Sequence, residues 1–315
     1  MSVPAATAAA PTNGLERVEP QLRELLALAS AVGALPQWTR AIRARSSGPF
    51  LSRLRGRGME YDESRPYLPG DDIRQLDWRV TARTGRPHTK LFREERERPV
   101  LLCVDYRRPM FFATRGVFKA VQAARAASLL AWHAQQNGDR VGGLVFADAE
   151  HHELPPRRGR TATMQWLKLL VSQASRVRSA DHTSPTQPLV ETLRRVTRVA
   201  KPGSLVFVLS DFRGLQAEAT AALVQLSLHV DVGLVAIHDP LEAQFPAFDE
   251  AASLADGEQT LRLAGVGSAQ RKAYAAQFAT RLDALRQLCR ERRLLFTSVD
   301  TVADPRAALI KMFGG

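Results

Sequence analysis

Runs of consecutive apolar residues punctuate the chain at 100–104, 141–146, 205–209, 232–237 and 294–299. Val, Leu and Ile runs of this length suit strands covered on both faces, as in a parallel sheet. Amphipathic stretches separate them. Within 116–134, Val117, Val121, Ala124, Ser128 and Ala131 recur at helical spacing and form a small-residue face able to lie close to a sheet. Within 268–290, Tyr274, Phe278, Leu282, Leu285 and Cys289 form a second stripe. A polar stretch at 150–154 reads as an edge strand. The alternation predicts an α/β fold with a doubly wound, mostly parallel sheet.

The part before residue 99 is different. Leu22, Leu25, Leu26 and Leu28, with Val32 and Leu35 beyond, predict an amphipathic helix over 19–35. Residues 46–98 are dense in Gly, Pro, Arg and Asp and lack a long period. They predict a smaller, irregular, β-containing segment with one short helix near 72–81. Pro69-Gly70 marks a turn, and Asp71 or Asp72 is expected to cap that helix. The expected organisation is a disordered tail over 1–14, a helix plus signature segment over 15–98, and the α/β domain over 99–315. The acidic, Pro-containing stretch 240–260 is expected to loop over the carboxyl ends of the strands.

The chain has 315 residues and a net charge of +12, which favours acidic partners without choosing among them. The stretch 157–201 holds ten Lys/Arg against Asp181 and Glu191. Its cations Arg157, Arg158, Arg160, Arg194, Arg195 and Arg198 form a candidate basic surface for phosphates. Arg194, Arg195 and Arg198 fall opposite Leu189 and Leu193 at helical spacing, as on a solvated helix face. Trp166 is the one aromatic residue there, which argues against base-stacking recognition of single strands. Cys103 and Cys289 sit in apolar periodic segments without metal-ligand spacing and read as small buried hydrophobes, consistent with a reducing cytosol. No apolar run reaches the roughly 18 residues of a membrane span. The Ala-rich start lacks the basic region of a signal peptide, so the expected location is cytoplasmic.

No Gly-x-Ser-x-Gly elbow, phosphate loop or paired-His zinc spacing occurs. Two sets of residues remain. One is the acidic cluster Asp71, Asp72, Asp77, Glu94 and Glu95, surrounded by Arg65, Arg74, Arg79 and Arg83. Such a cluster suits either a structural network, with Asp77 paired to Arg74 and Trp78 plugging the segment onto the main domain, or a metal-dependent phosphohydrolase. A partner-facing patch is the third use, since Arg and Trp are common anchors of interfaces.

The other is the end of the first long strand. The run Arg65-Pro66-Tyr67-Leu68-Pro69-Gly70-Asp71-Asp72-Ile73-Arg74, then Asp77-Trp78, Ala82-Arg83, Lys90 and Glu94-Glu95, resembles the signature of the domain of unknown function 58 family. So do the strand over 100–105, Lys119, and Gly138-Asp139-Arg140-Val141-Gly142. The resemblance runs from about residue 48 to the C-terminus. It implies a Rossmann-type, von Willebrand factor A-like domain behind the signature. It also implies a non-enzymatic interaction or adaptor role beside MoxR-type AAA+ ATPases and a protein client, in assembly or maturation of complexes. Domains of that class hold Mg²⁺ through Asp-x-Ser-x-Ser after the first strand and an Asp after the fourth. Asp105 and Asp211 match the two aspartates, but Arg107 and Pro109 replace the serines. With two hydroxyl ligands gone, no metal or other cofactor is expected, Mg²⁺ being disfavoured rather than excluded. Arg107 or Arg108 is expected to pair with Asp105 or Asp211 in its place. No catalytic residues are expected. The alternatives are the phosphohydrolase built on Asp71, Asp72 and Asp77, and a basic nucleic-acid-binding protein.

Overall fold

The computed structural model describes residues 14–38, 59–68, 71–94, 97–148, 150–179, 189–243, 253–255, 260–262 and 267–314. The chain forms two compact units, one of Gly48–Glu97 and one of Met1–Ser47 with Arg98–Gly315.

In the smaller unit, strand β1 (Met59–Pro66) pairs antiparallel with β2 (His88–Glu94), with a register shift between Tyr61 and Glu63. Between the strands come a 3₁₀ turn, Ile73–Gln75, and the helix Trp78–Thr84. The helix starts later than the sequence predicts, because Asp77 is its cap. The Asp77 Oδ1 accepts the backbone N–H groups of Arg79 and Val80 at 3.2 and 3.1 Å. Asp72 caps only the short turn, through Arg74 N–H at 3.0 Å. Gly85, in the left-handed region at φ 70°, ends the helix.

In the larger unit, six strands form one sheet. They are β3 (Pro99–Asp105), β4 (Arg140–Phe146), β5 (His151–Arg158), β6 (Leu205–Ser210), β7 (Asp231–His238) and β10 (Leu295–Asp300), in the order β10-β7-β6-β3-β4-β5. Every neighbouring pair is parallel except β4 with the edge strand β5. A separate short ribbon joins β8 (Ser253–Ala255) to β9 (Thr260–Arg262). Between 240 and 260, only the short helix Pro240–Ala243 and β8 and β9 are described. The residue 1–14 tail lies outside the described residues but for Gly14.

The central strands are buried on both faces, as their apolar runs require. One face packs the helices Lys119–Gln136, Arg160–Ser179 and Pro305–Gly314; the other packs Leu189–Val199, Ala217–Ser227 and Ser268–Glu291. This is the doubly wound arrangement. The stripe predicted on Ser268–Glu291 is buried only at Leu285 and Cys289, and Tyr274 is exposed.

The helix Lys119–Gln136 is enclosed on nearly all sides, because a further layer covers it. The N-terminal helices Leu15–Val18 and Leu22–Ala27 and the 3₁₀ segment Leu28–Ala34 belong to this unit, not to the signature segment with which the sequence reading grouped them. The Trp132 indole N–H donates to the Leu25 carbonyl at 3.0 Å, and Leu25, Val32 and Trp38 join the core. Burial of each such side chain is worth about 1.5–3 kcal/mol before ordering costs, which is why an amphipathic segment at the chain's start is drawn onto an otherwise apolar helix.

Candidate functional site

The sheet order sets the site. From β3 the chain winds to β4 on one side, while β6 lies on the other. In open α/β sheets such a reversal leaves a crevice at the carboxyl ends of the strands, where ligands bind. Asp105 ends β3 and Asp211 follows β6, so these two flank the reversal.

Both are buried. Arg107 folds back onto Asp105, its Nη2 at 2.6 Å from Oδ2 and its Nε at 3.0 Å from Oδ1. The Arg107 backbone N–H also donates to Asp105 Oδ1 at 2.9 Å, and the Ser210 hydroxyl donates to Oδ2 at 2.6 Å. The ion pair expected between Arg107 or Arg108 and the two aspartates is thus made by Arg107 with Asp105. Arg108 contributes its backbone N–H to Asp148 at 2.9 Å. Burial opposes the Arg107 charge, and Asp105 more than restores it, so the guanidinium is held even more firmly protonated than usual.

Asp211 is held by a different cation. Lys119, at the start of its helix, is wholly buried, and its Nζ donates to Asp211 Oδ2 at 2.8 Å and Glu242 Oε1 at 3.2 Å. Arg213 also pairs with Glu242, and its backbone N–H donates to Asp211 at 3.0 Å. Burial pushes the Asp211 carboxyl up, but the Lys119 charge and hydrogen bond outweigh it and hold the group below the usual carboxylate range.

A fourth carboxylate ties the surrounding loops. Asp239, just past β7, accepts the Thr114 backbone N–H and hydroxyl at 2.8 and 2.6 Å, the Leu241 N–H at 2.9 Å and the Thr301 hydroxyl at 3.0 Å. Burial would raise its pKa; those donors, led by Thr114, lower it. Glu242 in turn accepts the Asp239 N–H at 3.0 Å. Three cations, Arg107, Lys119 and Arg213, therefore meet three carboxylates, Asp105, Asp211 and Glu242, while Asp239 is held by neutral donors.

This donor set does not fit a divalent cation. Such an ion needs several oxygen ligands, and the oxygens of Asp105 and Asp211 already face a guanidinium and an ammonium. Pro109 sits in the turn Arg108–Met110 and offers no ligand.

Of these residues, sequence reasoning singled out Asp105, Arg107, Pro109 and Asp211. Lys119 was noticed only as part of the family pattern, and Ser210, Arg213, Asp239 and Glu242 were missed. One signal was available: each missed acid or hydroxyl stands at or just past the end of an apolar run, where parallel strands present their side chains to one crevice.

The signature residues serve separate tasks. Asp71 pairs with Arg65 at 2.7 Å and accepts the Leu68 N–H at 2.9 Å. The Arg65 hydrogen bond, then the Leu68 amide, hold its carboxyl below the usual range. The Tyr67 hydroxyl donates to the Asp71 carbonyl at 3.4 Å. Asp77 takes the Ser64 hydroxyl at 2.6 Å along with its capped amides, not Arg74 as expected. The Ser64 bond is the main reason its pKa is lowered. Asp71, Asp72 and Asp77 are thus committed to different donors. Trp78 is 68% exposed, and Leu68 and Ile73 are exposed as well. Arg74 and Arg83 are exposed beside them. Pro69, Gly70, Glu95 and the Glu94 side chain lie outside the described residues.

The basic surface is split. Arg157 and Arg158 are exposed on β5, and Arg160 lies over the Trp132 ring at 5.5 Å. Arg194, Arg195 and Arg198 line the helix Leu189–Val199, with Arg195 3.4 Å from Glu153. Among the described residues no helix is long and apolar enough to cross a membrane.

The larger unit is therefore an open α/β domain of Rossmann-like build, with a mostly parallel sheet and a self-neutralised ion network at its carboxyl edge. The chain belongs to the family described as Protein of unknown function DUF58, whose model matches residues 63–283. It is 30% identical over 199 residues to the uncharacterized proteins Rv1480 of Mycobacterium tuberculosis and Mb1516 of Mycobacterium bovis. That match covers 63% of this chain, and the chain spans 61% of the length of these curated relatives. A crystal structure of the conserved hypothetical protein BatB from Bacteroides thetaiotaomicron aligns with a TM-score of 0.43 at 17% identity, over 68% of this chain and 96% of that one.

Proposed function

We propose that this protein is a non-enzymatic, cytoplasmic adaptor whose larger unit is a von Willebrand factor A-like domain with a degenerate metal site. Its partners are a MoxR-type AAA+ ATPase and a protein client. One observation carries the reading: at the carboxyl edge, where such domains hold Mg²⁺, Asp105 and Asp211 are neutralised by Arg107 and Lys119. A site already neutral and hydrogen-bonded has neither an open metal position nor an unpaired group for acid–base work. It serves as a rigid platform.

The partner-facing surface belongs to the smaller unit. Trp78, Ile73 and Leu68 are exposed, and Arg74, Arg79 and Arg83 accompany them without a carboxylate at ion-pair distance among the described residues. An aromatic anchor ringed by arginines is the composition of an interface hot spot. The test is affinity capture of the tagged protein from its native lysate, with Mg²⁺ or with EDTA, read by mass spectrometry. An AAA+ ATPase recovered in both conditions supports a metal-independent adaptor. Recovery of no ATPase in either overturns the reading. Calorimetric titration with Mg²⁺ should give no stoichiometric binding.

A further inference from the structure

A groove separate from the ion network runs along the sheet face beneath the helix Leu189–Val199, from Pro99 and Arg140 at the amino ends of β3 and β4 to Cys103 and Leu144. Its cavity is about 590 Å³, within the size range of small-molecule sites. The floor is the sheet face carrying Leu101, Cys103 and Leu144, and one wall is Val196 and Val199 of the helix Leu189–Val199. Its shape has a local cause. A Cβ on Gly142 would stand 2.6 Å from the Leu154 carbonyl oxygen and from Pro156 N, and one on Gly143 would stand 2.1 Å from the Leu102 oxygen. Gly142 lets β5 come close to β4, Gly143 lets the Leu102 backbone of β3 do so on its other side, and the β4–β5 register shifts at this point. Pro155 and Pro156 form the bent wall.

Charge surrounds this apolar floor unevenly. Arg140 and Lys201 stand exposed at the mouth. A smaller cavity of about 160 Å³ shares Leu144 and Arg195 with the groove and extends it past Arg194, Arg198 and one exposed acid, Glu191. Among the described residues no carboxylate lies within ion-pair distance of Arg140, Arg198 or Lys201. The acid on the groove's wall, Glu153, is taken by Arg195 at 3.4 Å.

We propose that this groove binds an amphipathic anion, an acyl chain ending in a carboxylate. The chain lies on Leu101, Cys103 and Leu144, and the carboxylate meets Arg140 and Lys201. An apolar floor gains by covering chain methylenes, and two cations lacking partners supply the head-group contact that a neutral lipid would waste. The assignment gives Lys201, the last cation of the basic stretch, a use together with Arg140 of β4, and it does not depend on the adaptor reading.

The test titrates the full chain with a dansyl-labelled fatty acid, then competes it with dodecanoate and with dodecanol, which has the same chain without the charge. Saturable binding is expected, with dodecanol weaker than dodecanoate by about tenfold or more. Arg140→Glu with Lys201→Glu should weaken dodecanoate by a similar factor and leave dodecanol unchanged. Both residues are exposed, so this variant reports on binding even if Val196→Trp, which fills the groove and should abolish binding, fails to fold. Absence of saturable binding, equal competition by the two chains, or unchanged binding in a folded Val196→Trp variant would each overturn the proposal. So would binding to phosphatidylglycerol vesicles through Arg140 and Lys201 that dodecanoate does not inhibit, since that assigns the cations to a membrane surface.

Discussion

Replacing Lys119 by Met removes one buried charge and keeps most of the side chain's volume. At 2.8 and 3.2 Å from Asp211 and Glu242, an ammonium interacts with two carboxylates by about 6 and 5 kcal/mol at an effective dielectric constant near 20. Most of that offsets the desolvation of three charges. Removing the cation leaves the desolvation in place, with Arg213, 41% exposed, as the remaining partner. Loss of one member of a buried ion pair costs about 3–5 kcal/mol. For a domain of this size that lowers Tm by roughly 6–20 °C. The assay is thermal unfolding followed by circular dichroism at pH 7, with urea titration for the free energy. The double variant Lys119→Met/Asp211→Asn should recover a large part of the loss, because it removes the orphaned carboxylate as well. The pH dependence has a definite sign. In the wild type Asp211 titrates below its unfolded value of 3.8, so its contribution is present above that pH and is lost on acidification. Without Lys119, burial is opposed only by the Arg213 amide and guanidinium, and the native carboxyl titrates higher than in the wild type, above 3.8 if burial then prevails. The variant then takes up a proton on folding, and the gap to wild type narrows as pH falls toward 4. A Lys119→Met protein that melts within about 2 °C of wild type, or a gap that widens in acid, would refute this reasoning.

Five further outcomes are expected. Trp78→Ala should leave the melting temperature unchanged yet abolish ATPase recovery in the affinity capture; Asp77→Ala should lower the melting temperature by removing the helix cap and the Ser64 partner. Burial pushes the Asp139 carboxyl up to about 6, even though Arg98 N–H donates to it at 3.0 Å. Its contribution is present below the unfolded value of 3.8 and lost as pH rises through 6. Asp139→Asn should therefore stabilise the protein at pH 7 and have little effect at pH 4, by urea unfolding at both. His133, packed edge-on against Trp38 at 4.5 Å, is pushed down to about 4 by burial from 6.5. Its contribution, about 3 kcal/mol, is present above pH 6.5 and lost as pH falls through 4, so His133→Phe should flatten the acid limb of the stability curve. Gly143→Ala should prevent accumulation of folded protein in an expression and proteolysis assay, because its Cβ meets the Leu102 backbone rather than a yielding side chain.

The architecture was legible where local pattern and burial coincide. Strands buried on both faces must be apolar throughout, so β3, β4, β6, β7 and β10 stood out as runs, and Asp105 and Asp211 as polar residues ending two of them. The small-residue spacing of the helix Lys119–Gln136 likewise announced close packing. The first turn of the signature helix was misplaced because Asp71, Asp72 and Asp77 have the same capping chemistry, and only the chain's path shows which one meets free amide groups. What tertiary structure alone decided was the partnership of residues far apart in sequence. Lys119 meets Asp211 and Glu242, 92 and 123 positions away, because strand order brings β3, β6 and β7 side by side with their carboxyl ends together. A sequence states which residues carry charge. The buried distances that seat a lysine between two carboxylates, and the close approach of β5 to Gly142, are consequences of packing between segments with no local signal for one another.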